Sequence, residues 1–310
     1  DPQKQRSKSE KDAYRELHEE IMLSARQLFT IFKKDNALEG ELISDMTGKL
    51  VNGLVRDREL LLNILNMKSN YGFLLDQTVG VTILALNVGA AKGLSRKQLL
   101  ELGFGAFLSN IGMLKVPPKI LMKKGKLTPN EFKEVKRHSI SGLDMLENVD
   151  AIPATAPFIA YQCHERLDGS GYPKSRKSAA IHDFSKIVAV CDVFYALASD
   201  RPYRRALSPY KAMETTLKMA GRRLVNPVDL KALLEYLSLF PLGSWVELSN
   251  GSIGKVVKAN GSDYTRPTVT VVYNGTVKRS EPKIIDLSSD SSVKVVQGLD
   301  NMDDDVMDGF

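Results

Sequence analysis

The stretch HERLDGSGYP, residues 164–173, and the run VAVCDVFYALASDRPYR, residues 188–204, decide how this chain is read. The first sets His164, Glu165 and Asp168 ahead of a Gly-Ser-Gly-Tyr-Pro turn, Gly169 to Pro173. The second puts Asp192 on an apolar helical run that ends in the cluster Arg201, Tyr203 and Arg204. Imidazoles, carboxylates and guanidiniums at these spacings suit metal-dependent attack on a phosphodiester. The upstream segment FGAFLSNIGMLKVP, at 104–117, carries the neutral polar pair Ser109 and Asn110 within an apolar run.

Composition sets the bounds around these segments. At 310 residues, two domains are expected, with room for a small appendage. With 43% hydrophobic and 26% charged residues, the chain has ample apolar material for a core. A net charge of +6 suits phosphate-bearing ligands, but the basic residues are spread out, and no nucleic-acid partner is expected. Cys163 and Cys191 form no disulfide framework, which points to a reducing compartment such as the cytoplasm. Val79 to Ala91 is short for a bilayer span and broken by glycines, so no membrane partner is expected. The polar opening DPQKQRSKSEKD reads as poorly ordered, and because it begins at Asp1 the lack of a leader carries no weight.

Four regions follow from the patterning. In residues 1–69, Tyr14, Leu17, Ile21, Leu28 and Phe32 form one apolar stripe. Leu42, Met46, Leu50 and Leu54 form another on a helix over roughly 39–66. These two helices predict an αα-hairpin that packs on a neighbour or on a second copy of the chain. Residues 70–240 read as helical, with helices over Leu74–Lys92 and Ser95–Leu108. Thr128-Pro129-Asn130-Glu131 predicts a capping box whose helix carries His138 on its last turns, and Asn226-Pro227 opens a helix ending near Leu239. From 241 to 298 the pattern turns to short β-branched runs separated by Asn250-Gly251, Asn260-Gly261 and Asn274-Gly275. These predict a small β domain, a five-stranded barrel or curled sheet. Residues 299–310 form an acidic tail.

Three motifs, GAFL-x-x-IG-x-x-KVP-x-x-IL-x-K-x-GKLT at 105–128, HERLDGSGYP at 164–173 and CDVFYAL-x-SDRPYR at 191–204, occur in an order that resembles the HD-GYP family. That family is a branch of the HD-domain metal phosphohydrolases. The segment beginning PLGSWVELSNGSIGKVV also resembles a C-terminal extension of some members. The resemblance implies a mainly α fold, an HD-domain helical bundle, here with the N-terminal hairpin and the small C-terminal β domain. It also implies a two- or three-metal centre of iron or manganese that hydrolyses cyclic di-GMP. Two metals about 3.5–4 Å apart clamp the attacking and leaving oxygens of such a reaction.

The family's ligand positions can be followed one by one. Its first histidine falls at Gln77, and the glutamate of three-metal members falls at Phe73. The His-Asp pair falls at Ser109-Asn110, and the phosphate-contacting lysine at Met113. His138 is retained, the histidine pair becomes Cys163-His164, and Asp192 is retained. A neutral asparagine cannot bridge two divalent cations as a carboxylate does, and serine and glutamine are feeble ligands.

No catalytic residues and no cofactor are therefore expected; any residual iron, manganese or zinc would sit on His138, His164, Asp192 and Cys163. The competing reading of these residues is a decayed pocket, with histidines bonded to carboxylates and Cys163 simply packed. Arg201, Arg204 and Tyr172 are the expected ligand-binding residues, and the two arginines are also able to pair with Asp200, Asp192 or Glu165. The resemblance further implies that the GYP loop meets a GGDEF-domain partner. The expectation is a degenerate, non-catalytic regulator or scaffold in cyclic di-GMP signalling. Two alternatives stand beside it: a phosphodiesterase with an altered metal centre, and a structural homodimer joined through the N-terminal helices.

Overall fold

A computed structural model describes residues 2–35, 39–56, 72–147, 149, 152–260, 263–275 and 277–300. The fold is organised around α3 (Phe73–Ala91), whose residues are buried almost continuously from Leu75 to Gly89. A helix that is apolar all round must lie at the centre of its bundle. Val79, Ile83 and Leu86 pack with α1 (Pro2–Asp35), α2 (Gly40–Arg56) and α4 (Arg96–Leu108). Val81, Leu84, Ala85 and Val88 pack with α9 (Asp183–Ala198), α10 (Pro209–Gly221) and α11 (Pro227–Leu237). By length and composition alone α3 is long and apolar enough to cross a bilayer, which corrects the shorter run read from the sequence; 78% of that stretch is buried in the fold.

The N-terminal helices join this core. Ile21, Leu28, Phe32, Met46 and Leu50 are buried within the chain, so the two stripes pack on a neighbouring part of the same molecule. α1 is described from Pro2, across the opening that the sequence reads as poorly ordered. No glycine and no further proline interrupts residues 3–35, and Gln, Lys, Arg and Glu are good helix formers. α2 is described to Arg56, and the expected continuation to 66 lies outside the described residues.

The capping box forms as expected: Thr128 Oγ1 accepts from Glu131 N at 3.2 Å, and Glu131 Oε2 accepts from Thr128 N at 2.7 Å. It opens α6 (Pro129–Lys136), which follows the short α5 (Pro118–Leu121). His138 is not on the last turns of that helix. It is the first residue of α7 (His138–Leu146), because the chain turns at Arg137 with no glycine or proline to mark the break. α8 (Ala156–Gln162) then leads into the His164 segment, and Asn226 caps α11 through Val228 N at 2.9 Å.

The C-terminal region is an antiparallel sheet of β1 (Trp245–Leu248), β2 (Ser252–Lys258), β3 (Thr268–Asn274), β4 (Val277–Asp286) and β5 (Val295–Leu299). The strand order is β4-β3-β2-β1-β5, which leaves β4 and β5 as edges and makes an open sheet rather than a closed barrel. Register shifts at Glu247/Leu248, Ile253/Gly254 and Val271/Tyr273 curl it. Asn250-Gly251 and Asn274-Gly275 turn between strands as expected, while Gly261 lies outside the described residues. β5 reaches Leu299, one residue past the expected boundary, and residues 301–310 are not described. Tyr210 of α10 stacks on Phe240 at 5.4 Å and joins the sheet's apolar core.

Gly112 sets the depth at which α7 meets the turn after α4. A Cβ built there would lie 2.0 Å from the His138 carbonyl oxygen and 2.6 Å from Gly142 N, both backbone atoms. Gly48, inside α2, has nothing within 4 Å of such a Cβ. Gly112→Ala is therefore expected to destabilise the fold by about 1–3 kcal/mol. Gly48→Ala is expected to be neutral or stabilising by up to about 1 kcal/mol. Urea unfolding of the two variants checks the opposite signs.

Candidate functional site

Asp192, on α9, is buried, and an unaccompanied buried carboxylate is costly. Its Oδ1 accepts from the side-chain amide of Gln77 on α3 and from Asn110 Nδ2 at 3.1 Å. Arg201 in turn donates to Gln77 Oε1. The guanidinium, the glutamine and the carboxylate thus form a relay, with its positive end at the loop that follows α9. Burial by itself raises the Asp192 carboxyl, but the positive charges of His164 and Arg201 and the two amides overcome it, and the group lies below its ordinary value. Because His164 is neutral near physiological pH, Arg201 and the amides carry that effect there.

Two histidines flank the carboxylate. His164 Nδ1 stands 3.8 Å from Asp192 Oδ2, and the rings of His138 and His164 meet edge to face with centroids 4.7 Å apart. His138 Nδ1 lies 2.6 Å from the Val135 carbonyl, which can only accept, so Nδ1 carries the proton and Nε2 a bare lone pair. Both Nε2 atoms are buried without a hydrogen-bond partner. Burial lowers the pKa of His138. Burial, reinforced by the charge of His138, lowers His164 to about 3.

Tyr172 does not project from its turn. Its ring stacks on His164 at 5.0 Å and 13°, meets His138 edge-on at 6.2 Å, and has Lys136 Nζ 5.3 Å above it. The loop is built to hold it there. Glu165, which is buried, accepts from Lys174 N at 2.8 Å and Arg176 N at 2.9 Å. Gly171 runs so close to the preceding segment that a Cβ would lie 2.3 Å from Arg166 N. Asp168 accepts from Ser170 N and Ser170 Oγ and shapes the same turn.

The remaining predicted residues divide. Ser109 Oγ donates to the Ala106 carbonyl at 2.7 Å, beside the site but turned to the end of α4. Cys163 is fully buried, its sulfur 3.6 Å from the Ser109 carbonyl and 3.8 Å from the Ala160 carbonyl, and burial pushes its thiol up. The Arg204 guanidinium donates to the carbonyls of Ala196 and Leu197, at the open end of α9, and to that of Arg205. Met113 and Phe73 line a cavity with Phe132, Leu127 and Lys126, residues that sequence reasoning did not single out. Their signal, apolar side chains scattered through the GKLT-PNEF segment, has no helical or strand period.

The donor set differs from that of the metal centre which the resemblance implies. A bridging centre needs at least one further anionic ligand, and the groups next to Asp192 are neutral amides that donate to it. Among the described residues, no three His, Cys, Asp or Glu side chains converge as a metal site. These side chains do not fit a two-metal centre, although His138 and His164 each present a bare nitrogen.

Comparison with known proteins fits this architecture. Residues 59–227 match the model of the HD domain, and residues 245–304 match a KOW domain associated with the HD domain. The chain belongs to the HD-domain family. Across 274 residues it is 27% identical to the cyclic di-GMP phosphodiesterase PA4108 of Pseudomonas aeruginosa, covering 88% of this chain and 66% of that protein. Over 178 residues it is 35% identical to a cyclic di-GMP phosphodiesterase of Thermotoga maritima, covering 56% and 48%. The chain therefore spans about half to two thirds of these relatives. An HDG"Y"P protein from Bdellovibrio bacteriovorus shares the fold, with a TM-score of 0.58, 18% identity and coverage of 70% and 69%. The mainly helical HD fold and the homology to HD-GYP phosphodiesterases agree with the motifs.

The buried histidines give a pH signature. Their folded pKa values lie below the unfolded value of 6.5, so below that pH the unfolded chain takes up protons that the folded chain refuses. For His164, stability is expected to be fully present above pH 6.5 and to fall as pH drops toward 3, by roughly 1.4 kcal/mol per pH unit, with His138 adding in the same direction. His164→Gln should flatten this loss between pH 6.5 and 5. Urea midpoints measured across that range check it.

Proposed function

We propose that this HD-domain protein is a non-catalytic regulator in cyclic di-GMP signalling that engages the nucleotide or a signalling partner through its former phosphodiesterase face. The observation that carries the reading is the state of Asp192. The side chains around its inner oxygen are amides that donate to it, and Arg201 stands behind them. A carboxylate neutralised in this way by the protein itself has little left to offer a pair of divalent cations. The names of the relatives support a cyclic dinucleotide as the ligand class. Arg201 uses one nitrogen on Gln77 and retains N–H groups suited to a phosphate or a guanine edge. In this reading the GYP loop offers its outer surface, rather than Tyr172, to a partner such as a GGDEF domain.

A second reading is favoured by a separate observation. The unpartnered Nε2 atoms of His138 and His164 are the state in which imidazoles accept a metal. That supports a phosphodiesterase with an altered centre, as the relatives' names would suggest.

One assay separates the two. With ferrous iron or manganese in excess, cyclic di-GMP is expected to remain intact with the wild type and with His164→Ala. Turnover present in the wild type and lost in His164→Ala would establish the altered centre instead. In parallel, calorimetric titration with cyclic di-GMP is expected to show binding that falls about tenfold or more in Arg201→Ala, the scale of a lost charged hydrogen bond.

A further inference from the structure

A cavity of about 570 Å³ opens next to the polar centre. It is tied to that centre through Phe73, whose ring lies 5.4 Å below the Arg201 guanidinium, and through Val135, whose carbonyl holds His138. Its walls are apolar: Phe73, Met113, Ile120, Leu127, Phe132 and Val135. The volume lies in the range of roughly 300–1,000 Å³ typical of small-molecule sites. Phe132 and Tyr203 at the cavity are 46% and 40% exposed, an amount of aromatic surface that a ligand would cover.

Among the described residues, Lys126 is the one lining side chain that carries a charge. The neighbouring Lys123 is held by Glu131 at 2.6 Å, whereas no ion pair engages Lys126 among the described residues. A second cation, Lys136, lies over the outer ring of Phe132 at 4.9 Å. The apolar walls select the body of a ligand, and the ammonium selects its head. A cyclic dinucleotide would bring two phosphates and many polar base edges against walls that cannot satisfy them. An organic cation would face the lysines.

We propose that this cavity binds an apolar monocarboxylate, with the chain or ring against Met113, Ile120 and Phe132 and the carboxylate on Lys126. The cavity adjoins the Asp192 centre and shares Phe73 and Met113 with positions that the resemblance gives to metal and substrate; the proposal concerns this apolar lobe and does not rest on the nucleotide reading.

Equilibrium dialysis of labelled octanoate against the full chain tests it, with octanol as the uncharged competitor. Saturable binding near one octanoate per chain is expected. Lys126→Gln, a change at an exposed position, should weaken octanoate about fivefold and leave octanol competition within about twofold, the scale of one exposed ion pair. Met113→Trp, which fills the cavity, should remove both ligands while circular dichroism stays unchanged. No saturable binding, octanol held as tightly as octanoate, or equal octanoate affinity in the wild type and Lys126→Gln would each overturn the proposal.

Discussion

The centre of this molecule is governed by the need to keep one buried negative charge. Desolvating a carboxylate costs several kcal/mol unless partners replace the lost water. At Asp192 those partners come from three separate parts of the chain: Gln77 on α3, Asn110 after α4, and Arg201 beyond α9. None is adjacent in sequence to another. The charge therefore acts as a tie between the central helix and the two segments that close over it. The polar centre of the site is at the same time a joint of the bundle.

Around that joint, aromatic contacts replace what solvent would otherwise provide. His138 and His164 are neutral, buried and packed edge to face, and Tyr172 covers them. On the adjoining side, the surface changes character within a few ångströms, from amides and imidazoles to the walls around Met113 and Phe73. A region with a polar lobe and an apolar lobe side by side favours ligands that are themselves divided, or two ligands of different kinds.

Much of the fold was legible because it rests on local signals. The Thr128/Glu131 box, the Asn226 cap and two of the Asn-Gly turns are decided within four or five residues, and they form as read. The break before His138 was not legible, since Arg137 keeps helical dihedrals and no residue type announces the turn. The motifs identified Asp192, His138 and His164 as neighbours. They did not reveal that Tyr172 folds inward or that Arg204 serves helix-end carbonyls, because both outcomes depend on rotamers and on which acceptors lie nearby in space. The open edges of the sheet were hidden for a similar reason: strand number follows from the turns, whereas closure depends on whether the first and last partners in the order meet.

Glu165 shows how easily such a site is misread from phenotypes. It is an acid beside a histidine in the most distinctive motif of the chain, and a screen for loss of function would score it as a proton donor or a ligand. Its two oxygens are instead occupied by the backbone N–H groups of Lys174 and Arg176. Replacing it would release both shoulders of the loop and with them the tyrosine above the histidines. A lesion there would mimic a chemical defect while being one of architecture, and its isosteric amide, which supplies one acceptor oxygen where two are used, would be only a partial rescue.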